Sequence, residues 1–235
     1  QPAALSITET HTNVLCNGKS TASITTTVTG GTSPLTFIWN DGTTTPNRTN
    51  LIAGNYSVTT NDNNACTSSL NIIITEPAAL NTTETHTNIL CNGQNTGTIT
   101  VTATGGTTPY TFTWSDGITT PNRTNLMAGS YAVTVRDNNA CPSAQTITIT
   151  QPAAIAIAET HNNAICNGGN DGSISISVTG GTTPYTYTWN DGITAEDRTN
   201  LTAGTYSVTV RDNNACSATT SGIIITEPTA MAVTE

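Results

Sequence analysis

The chain has 235 residues and a net charge of −9, yet only 9% of its side chains are charged, so Thr, Asn, Ser and Gly supply its polarity. Six basic residues cannot build a patch for nucleic acid or an anionic membrane surface, and no apolar run is long enough to span a bilayer. This is the composition of a secreted β-protein, and the lack of a leader pattern fits a mature chain or a piece of a longer one.

The sequence repeats itself every 75 residues. Leu15-Cys16-Asn17-Gly18 returns at Leu90 to Gly93 and as Ile165 to Gly168, Trp39 returns as Trp114 and Trp189, and Tyr56 returns as Tyr131 and Tyr206. Only Gly222 disturbs the register. Repeats are expected over residues 1–75, 76–150 and 151–226, with 227–235 as the first strand of a further repeat or a donated strand.

Within one period the elements follow in order. Ala4 to Glu9 alternates with period two and predicts a first strand, followed by the Cys-Asn-Gly turn. Ser23 to Thr29 alternates again and stops at Gly30-Gly31. Pro34 to Trp39 predicts a third strand, ended by the Asp41-Gly42 hairpin signal. Thr43 to Asn50 is weakly patterned and holds one or two short edge strands. Leu51 to Thr59 combines a turn and a strand, and Tyr56 just after Gly54 has the placement of a tyrosine corner. Asp62-Asn63-Asn64 makes a turn, and Ile72-Ile73-Ile74 closes the unit before Glu76-Pro77. Six or seven short strands without helical periodicity predict an all-β chain of three tandem immunoglobulin-like β-sandwich domains. The short Pro-bearing junctions at Glu76-Pro77 and Gln151-Pro152 predict an extended rod.

Two cysteines fall in each repeat, 50 residues apart: Cys16 and Cys66, Cys91 and Cys141, Cys166 and Cys216. Their fixed register predicts one structural disulfide per repeat, and no Cys-x-x-Cys knuckle points to zinc. Pairing across repeats, such as Cys66 with Cys91, is the competing arrangement.

The order Cys-Asn-Gly, Thr-Gly-Gly-Thr-x-Pro-Tyr-Thr-x-x-Trp, Asn-Leu-x-Ala-Gly-x-Tyr-x-Val-Thr, Asp-Asn-Asn-Ala-Cys and Ile-Ile-Thr-Glu-Pro resembles the SprB repeat of very large surface adhesins of gliding Bacteroidetes. The resemblance implies cell-surface location, export by the type IX route and a role in adhesion or filament formation, with no catalytic residue to carry over. Leu35 departs from Tyr110 and Tyr185 without consequence for the fold.

Other chemistry is thinly supplied. Each repeat owns one histidine, His11, His86 or His161, next to Glu9, Glu84 or Glu159, too few for a triad or a metal cage. Asp62, Asp137 and Asp212 are weak calcium candidates, set against a plain Asx turn. Trp39, Trp114 and Trp189 are expected in the core rather than on a sugar, and Arg48, Arg123 and Arg198 beside local carboxylates. Lys19 is the only lysine, so repeats two and three cannot form an isopeptide crosslink.

The reading is a non-catalytic structural segment of an extracellular stalk, filament or adhesin at the cell surface, needing no cofactor, with other copies of itself as partners. Direct multivalent adhesion to a surface glycan or protein is the alternative, and an accessory module of a secreted enzyme is the third.

Overall fold

The structure is a computed structural model that describes residues 3–233. Among these residues the chain is all strand and turn, with eighteen strands in six three-stranded sheets. The first repeat contributes β1 (Ser6–Thr12), β2 (Ala22–Thr29), β3 (Thr36–Trp39), β4 (Arg48–Leu51), β5 (Gly54–Asn61) and β6 (Thr67–Ile74). The second contributes β7 (Asn81–Thr87), β8 (Gly97–Thr104), β9 (Thr111–Trp114), β10 (Asn122–Leu126), β11 (Gly129–Arg136) and β12 (Pro142–Ile149). The third contributes β13 (Ala156–Asn162), β14 (Gly172–Thr179), β15 (Thr186–Trp189), β16 (Arg198–Leu201), β17 (Gly204–Arg211) and β18 (Ser217–Ile225).

In the first repeat one sheet runs β1-β2-β4 and the other β3-β5-β6, and the third repeats this as β13-β14-β16 and β15-β17-β18. All pairs within these four sheets are antiparallel. This is the two-sheet division of an immunoglobulin constant-type sandwich with its fourth strand missing. Alternation along each strand sends Ile7, Ile24, Leu51, Val58, Ile72 and Ile74 into one core around Trp39, which is 2% exposed. The outward positions carry Thr and Ser, which bond across strands: Thr12 with Ser23 at 2.9 Å, Thr59 with Ser69 at 3.0 Å and Thr209 with Thr219 at 2.9 Å.

The weak segment after Asp41-Gly42 holds a single short strand, β4, preceded by an irregular stretch at 43–47. The extra residue of the third repeat is absorbed as a bulge. Val208 pairs with Thr220 and Tyr206 with Ile223, leaving Ser221 and Gly222 opposite Ser207, and Gly222 takes φ 78°. A residue with positive φ costs little when it is glycine, so β18 bends without losing register on either side.

The described chain separates into two compact units. One comprises Gln1–Thr85, Thr100–Pro121 and Tyr131–Ile147, the other His86–Ile99, Asn122–Ser130 and Thr148–Glu235. Residues of the middle repeat contribute to both. The segment expected as a leading strand at 227–235 forms no strand over 227–233, where Met231 is 96% and Val233 92% exposed, and its last two residues lie outside the described residues.

Candidate functional site

Strand direction decides which cysteines can meet. β1 begins beside Gly30-Gly31, where Gly31 N–H donates to Ala3 C=O at 3.1 Å. It ends beside the close of β6, where Val14 N–H donates to Thr75 C=O at 3.0 Å. Cys16 therefore sits in the loop at the β6 end. The loop carrying Cys66 is at the opposite end, because Asp62 accepts from Thr32 N–H at 2.9 Å and Asn63 N–H donates to Thr32 C=O at 2.8 Å. A seven-residue strand separates them, roughly 23 Å at about 3.3 Å per residue, whereas a disulfide needs Cα atoms within about 7 Å.

The expected pairings Cys16–Cys66, Cys91–Cys141 and Cys166–Cys216 are therefore corrected. Cys16 bonds Cys141 and Cys91 bonds Cys216, with Cα separations of 5.6 and 5.5 Å and 125 residues between partners in each case. Cys66 and Cys166 are free and exposed. Each bond joins the loop after the first strand of one repeat to the loop before the last strand of the next. The first lies wholly inside one compact unit and the second wholly inside the other. Closing 125 residues stabilises by about 5 kcal/mol in the chain-entropy picture, against about 4 kcal/mol for 50 residues. So small a difference could not choose the partner, and the end-to-end geometry of the sandwich does.

Several repeated motifs converge on these two junctions. Asn139 Nδ2 donates to Leu15 C=O at 3.0 Å, and Asn214 Nδ2 to Leu90 C=O at 3.3 Å. The sulfurs of Cys141 and Cys216 lie 3.4 and 3.3 Å from the same two carbonyl oxygens. The Cys-Asn-Gly loop also grips the connecting segment. Asn17 Nδ2 donates to Pro77 C=O at 3.1 Å and Gly18 N–H to the Glu76 carboxylate at 2.6 Å. In the next copy Asn92 holds Pro152 at 2.9 Å and Gly93 holds the Gln151 side-chain oxygen at 2.8 Å. Glu and Gln alternate here because the loop needs an acceptor oxygen rather than a charge.

Beyond the grip, the segment lies on the paired glycines of the repeat it enters. Gly106 N–H donates to Ala78 C=O at 2.8 Å and Gly181 N–H to Ala153 C=O at 2.9 Å. A Cβ on Gly105 or Gly180 would overlap the carbonyl oxygen of Ala79 or Ala154, and both glycines have positive φ. A cavity of about 350 Å³ at the second junction is lined by Cys91, Asn92, Ile155, Gly181, Ala215 and Cys216.

The aspartates singled out as weak calcium candidates organise the cysteine-bearing turn. Asp137 Oδ1 accepts from Asn139 N–H and Cys141 N–H at 2.9 Å each, and Oδ2 from Thr107 N–H at 2.9 Å. Asp62 and Asp212 make the same three bonds in their repeats. This is an Asx turn that fixes the cysteine backbone and ties it to the glycine loop. The N–H groups of Thr32, Cys66 and Asn64 hold the Asp62 carboxyl below the usual carboxylate range. Burial pushes Asp137 up, but the donors from Thr107, Cys141 and Asn139 outweigh it and its net shift is downward. Among the described residues no three His, Cys, Asp or Glu side chains cluster as metal ligands.

Trp39 and Trp189 are buried, their indole N–H groups donating to Thr45 and Ala195 C=O at 2.8 Å. Arg48 lies over the Trp39 ring at 5.2 Å and makes a two-pronged pair with Asp41, pulling that carboxyl down to about 2. Arg198 repeats the pair with Asp191 at 2.6 Å. Tyr56 donates to Ile52 C=O and Tyr206 to Thr202 C=O, each at 3.0 Å, which is the tyrosine-corner bond. His11 and His161 pair with Glu9 and Glu159 along exposed strands at 3.0 and 3.1 Å. The linker grip of Asn17 and Gly18 was not anticipated from the sequence, although Asn17, Asn92 and Asn167 stand 59, 59 and 60 residues before Glu76, Gln151 and Glu227, and that near-constant offset was the available signal.

The SprB repeat model matches residues 8–44, 83–119 and 158–194. Each match runs from the first strand through the Asp-Gly hairpin, so it includes the Cys-Asn-Gly loop and stops before the Asp-Asn-Asn-Ala-Cys turn. No curated protein matches the sequence. Among solved structures, the N-terminal eight Ig domains of Down Syndrome Cell Adhesion Molecule isoform 1.30.30 are similar at TM-score 0.50 and 12% identity over 97% of this chain. The chain spans only 37% of that protein's length, and at this identity the likeness shows the fold alone. Titin domains I67-I69, as an E-to-A variant, give TM-score 0.41 at 14% identity over 91% of this chain and 94% of theirs. Sidekick-1 immunoglobulin domains 1-5 give 0.39 at 13% over 94% and 58%.

Proposed function

Since the chain is a SprB-repeat protein built of tandem immunoglobulin-like domains, we propose that it is a non-catalytic structural segment of an extracellular surface stalk, filament or adhesin. Its domains are taken as residues 1–75, 76–150 and 151–226. The observation that carries this reading is the covalent tie between consecutive repeats, Cys16 to Cys141 and Cys91 to Cys216. The two spans overlap in sequence, so a chain pulled from its ends cannot release the middle repeat without loading a bond. Disulfides persist in oxidising surroundings, which supports an exterior location, and the resemblance adds export by the type IX route. Exposed Thr, Ser and Asn surfaces, with His–Glu pairs such as His11 with Glu9 and His161 with Glu159 lying along exposed strands, support a load-bearing role.

Single-molecule pulling on the oxidised chain tests the reading. With both bonds intact the chain should extend to about 300 Å, and after reduction to about 800 Å, at about 3.5 Å per residue. Cys66→Ser should leave the shorter limit unchanged, and the pair Cys16→Ser with Cys91→Ser should abolish it. An oxidised chain that reaches full length, or a Cys66→Ser chain that lengthens, would overturn the brace. Reproducible binding on a glycan array, lost on changing an exposed repeat position, would replace the structural reading with direct adhesion.

A further inference from the structure

Asparagine followed by glycine readily loses its side-chain amide, because glycine leaves its backbone nitrogen unhindered for attack on the asparagine Cγ. The chain carries this pair three times, at Asn17-Gly18, Asn92-Gly93 and Asn167-Gly168, once in each Cys-Asn-Gly loop. All three asparagines are exposed, so burial does not keep water from them. Conformation holds them instead.

Lys19 N–H donates to Cys16 C=O at 3.0 Å, Gln94 N–H to Cys91 C=O at 3.2 Å and Gly169 N–H to Cys166 C=O at 3.0 Å. The glycines take φ of 68°, 77° and 72° while the asparagines before them keep negative φ, which makes each loop a type II turn. Such a turn sets ψ of the asparagine at about +120°, whereas closing a five-membered ring onto Cγ needs the glycine nitrogen to eclipse Cβ, at ψ of about −120°. The nucleophile is therefore held on the wrong side. The grip on the connecting segment then ties down both reacting groups. Gly18 N–H, the nucleophile, donates to Glu76 at 2.6 Å, and Asn17 Nδ2, the leaving group, donates to Pro77 C=O at 3.1 Å. At the third loop Glu227 takes both, Gly168 N–H at 2.7 Å and Asn167 Nδ2 at 3.0 Å. At the second, the Gln151 oxygen holds Gly93 N–H at 2.8 Å and Pro152 C=O holds Asn92 at 2.9 Å.

We propose that Asn17, Asn92 and Asn167 are latent deamidation sites that the grip keeps closed, and that reaction at one of them marks a loop that has opened. In an opened loop Gly18 N attacks Asn17 Cγ, the Cγ–Nδ2 bond breaks, and the proton from Gly18 N leaves with Nδ2 as ammonia. Water then opens the succinimide at either carbonyl and leaves an aspartyl or isoaspartyl linkage. The product has no Nδ2 to donate to Pro77 C=O and sets a carboxylate against Glu76, so the same grip cannot close again. At Asn92 the neutral Gln151 adds no such repulsion. The geometry of the grip carries this site, and the load-bearing reading would stand if the site failed.

The test holds full oxidised chains at mildly alkaline pH and follows conversion at each asparagine by peptide mass mapping, which reads the three loops in one digest. Each asparagine of the folded chain should convert at least about tenfold more slowly than in the same chain held in urea. Glu76→Ala should speed conversion at Asn17 about tenfold and leave Asn92 and Asn167 slow. Glu76→Gln should keep Asn17 slow, because an acceptor oxygen remains, as Gln151 supplies one to Gly93. Folded chains that convert as fast as unfolded ones would overturn the proposal, and so would Glu76→Ala that leaves Asn17 slow or speeds all three positions alike. Glu76→Gln that matches Glu76→Ala would overturn it too, by assigning the protection to carboxylate charge and not to the hydrogen bond. Cys16–Cys141 and Cys91–Cys216 recovered intact in the same maps would keep any such failure apart from the structural reading.

Discussion

Cys16 is bonded to Cys141 with their Cα atoms 5.6 Å apart, while the nearest cysteine C-terminal to it in sequence, Cys66, stands at the other end of the same sandwich. The bond therefore ties one repeat to the next and leaves each sandwich to hold itself together by its Trp-centred core, its tyrosine corner and its cross-strand Thr and Ser pairs.

Cysteine substitutions should separate the two classes. Cys141→Ser breaks a 125-residue closure and is expected to cost about 3–5 kcal/mol, whereas Cys66→Ser, at an exposed free thiol, should stay within about 0.5 kcal/mol of the parent. Urea titration of both under oxidising conditions measures the difference, and equal losses would restore pairing within a repeat.

Gly105→Ala should disrupt the seat of the connecting segment. The added methyl would overlap Ala79 C=O and sit at φ 73°, so a loss of about 2–4 kcal/mol is expected. Gly117→Ala is the control, because its φ of 83° is equally unfavourable but nothing lies within 4 Å of the new methyl. Its loss should be only about 1–2 kcal/mol. Thermal melts in which the two variants coincide would show that positive φ, and not the docked segment, requires the glycine.

Thr60→Val should stabilise the first repeat. The Thr60 hydroxyl is fully buried without a hydrogen-bond partner, and the equivalent positions are Val135 and Val210. Replacing a stranded hydroxyl by a methyl of the same shape is worth about 1–2 kcal/mol. A denaturation midpoint that falls instead would mean that the hydroxyl finds a partner in solution.

Acid should weaken the loops on both sides of the cysteines. Asp62 and Asp137 have folded pKa values below their ordinary 3.8, so their stabilisation is complete above that pH and is lost as pH falls through the folded values. Asp41, held at about 2 by Arg48, adds to the loss at the lower end of the same window. Melting temperature should be flat from about pH 7 to about pH 4 and fall below it, with Asp137→Asn showing a shallower fall. A decline already complete by about pH 5, or an unchanged slope in the variant, would assign the acid sensitivity to other groups.

The repeat, the strand alternation, the buried tryptophans, the tyrosine corner and the Arg–Asp pairs are legible from residue order alone, because each depends on neighbours a few residues away or on inside-outside periodicity. Leu51, Tyr56 and Val58 report a sandwich face wherever the rest of the chain goes. The cysteine partners were not legible in this way. A spacing of 50 residues inside a repeat looks like a closed loop, but partnership depends on which end of the sandwich each loop reaches, and that follows from the direction of every segment between them. The undecided residues were 43–50, and their resolution as one irregular rise followed by β4 gives an odd number of crossings and places Cys16 and Cys66 at opposite ends. Only the tertiary structure could then set Cys141 beside Cys16, because loop-closure entropy differs by so little between 50 and 125 residues that geometry alone selects the bond.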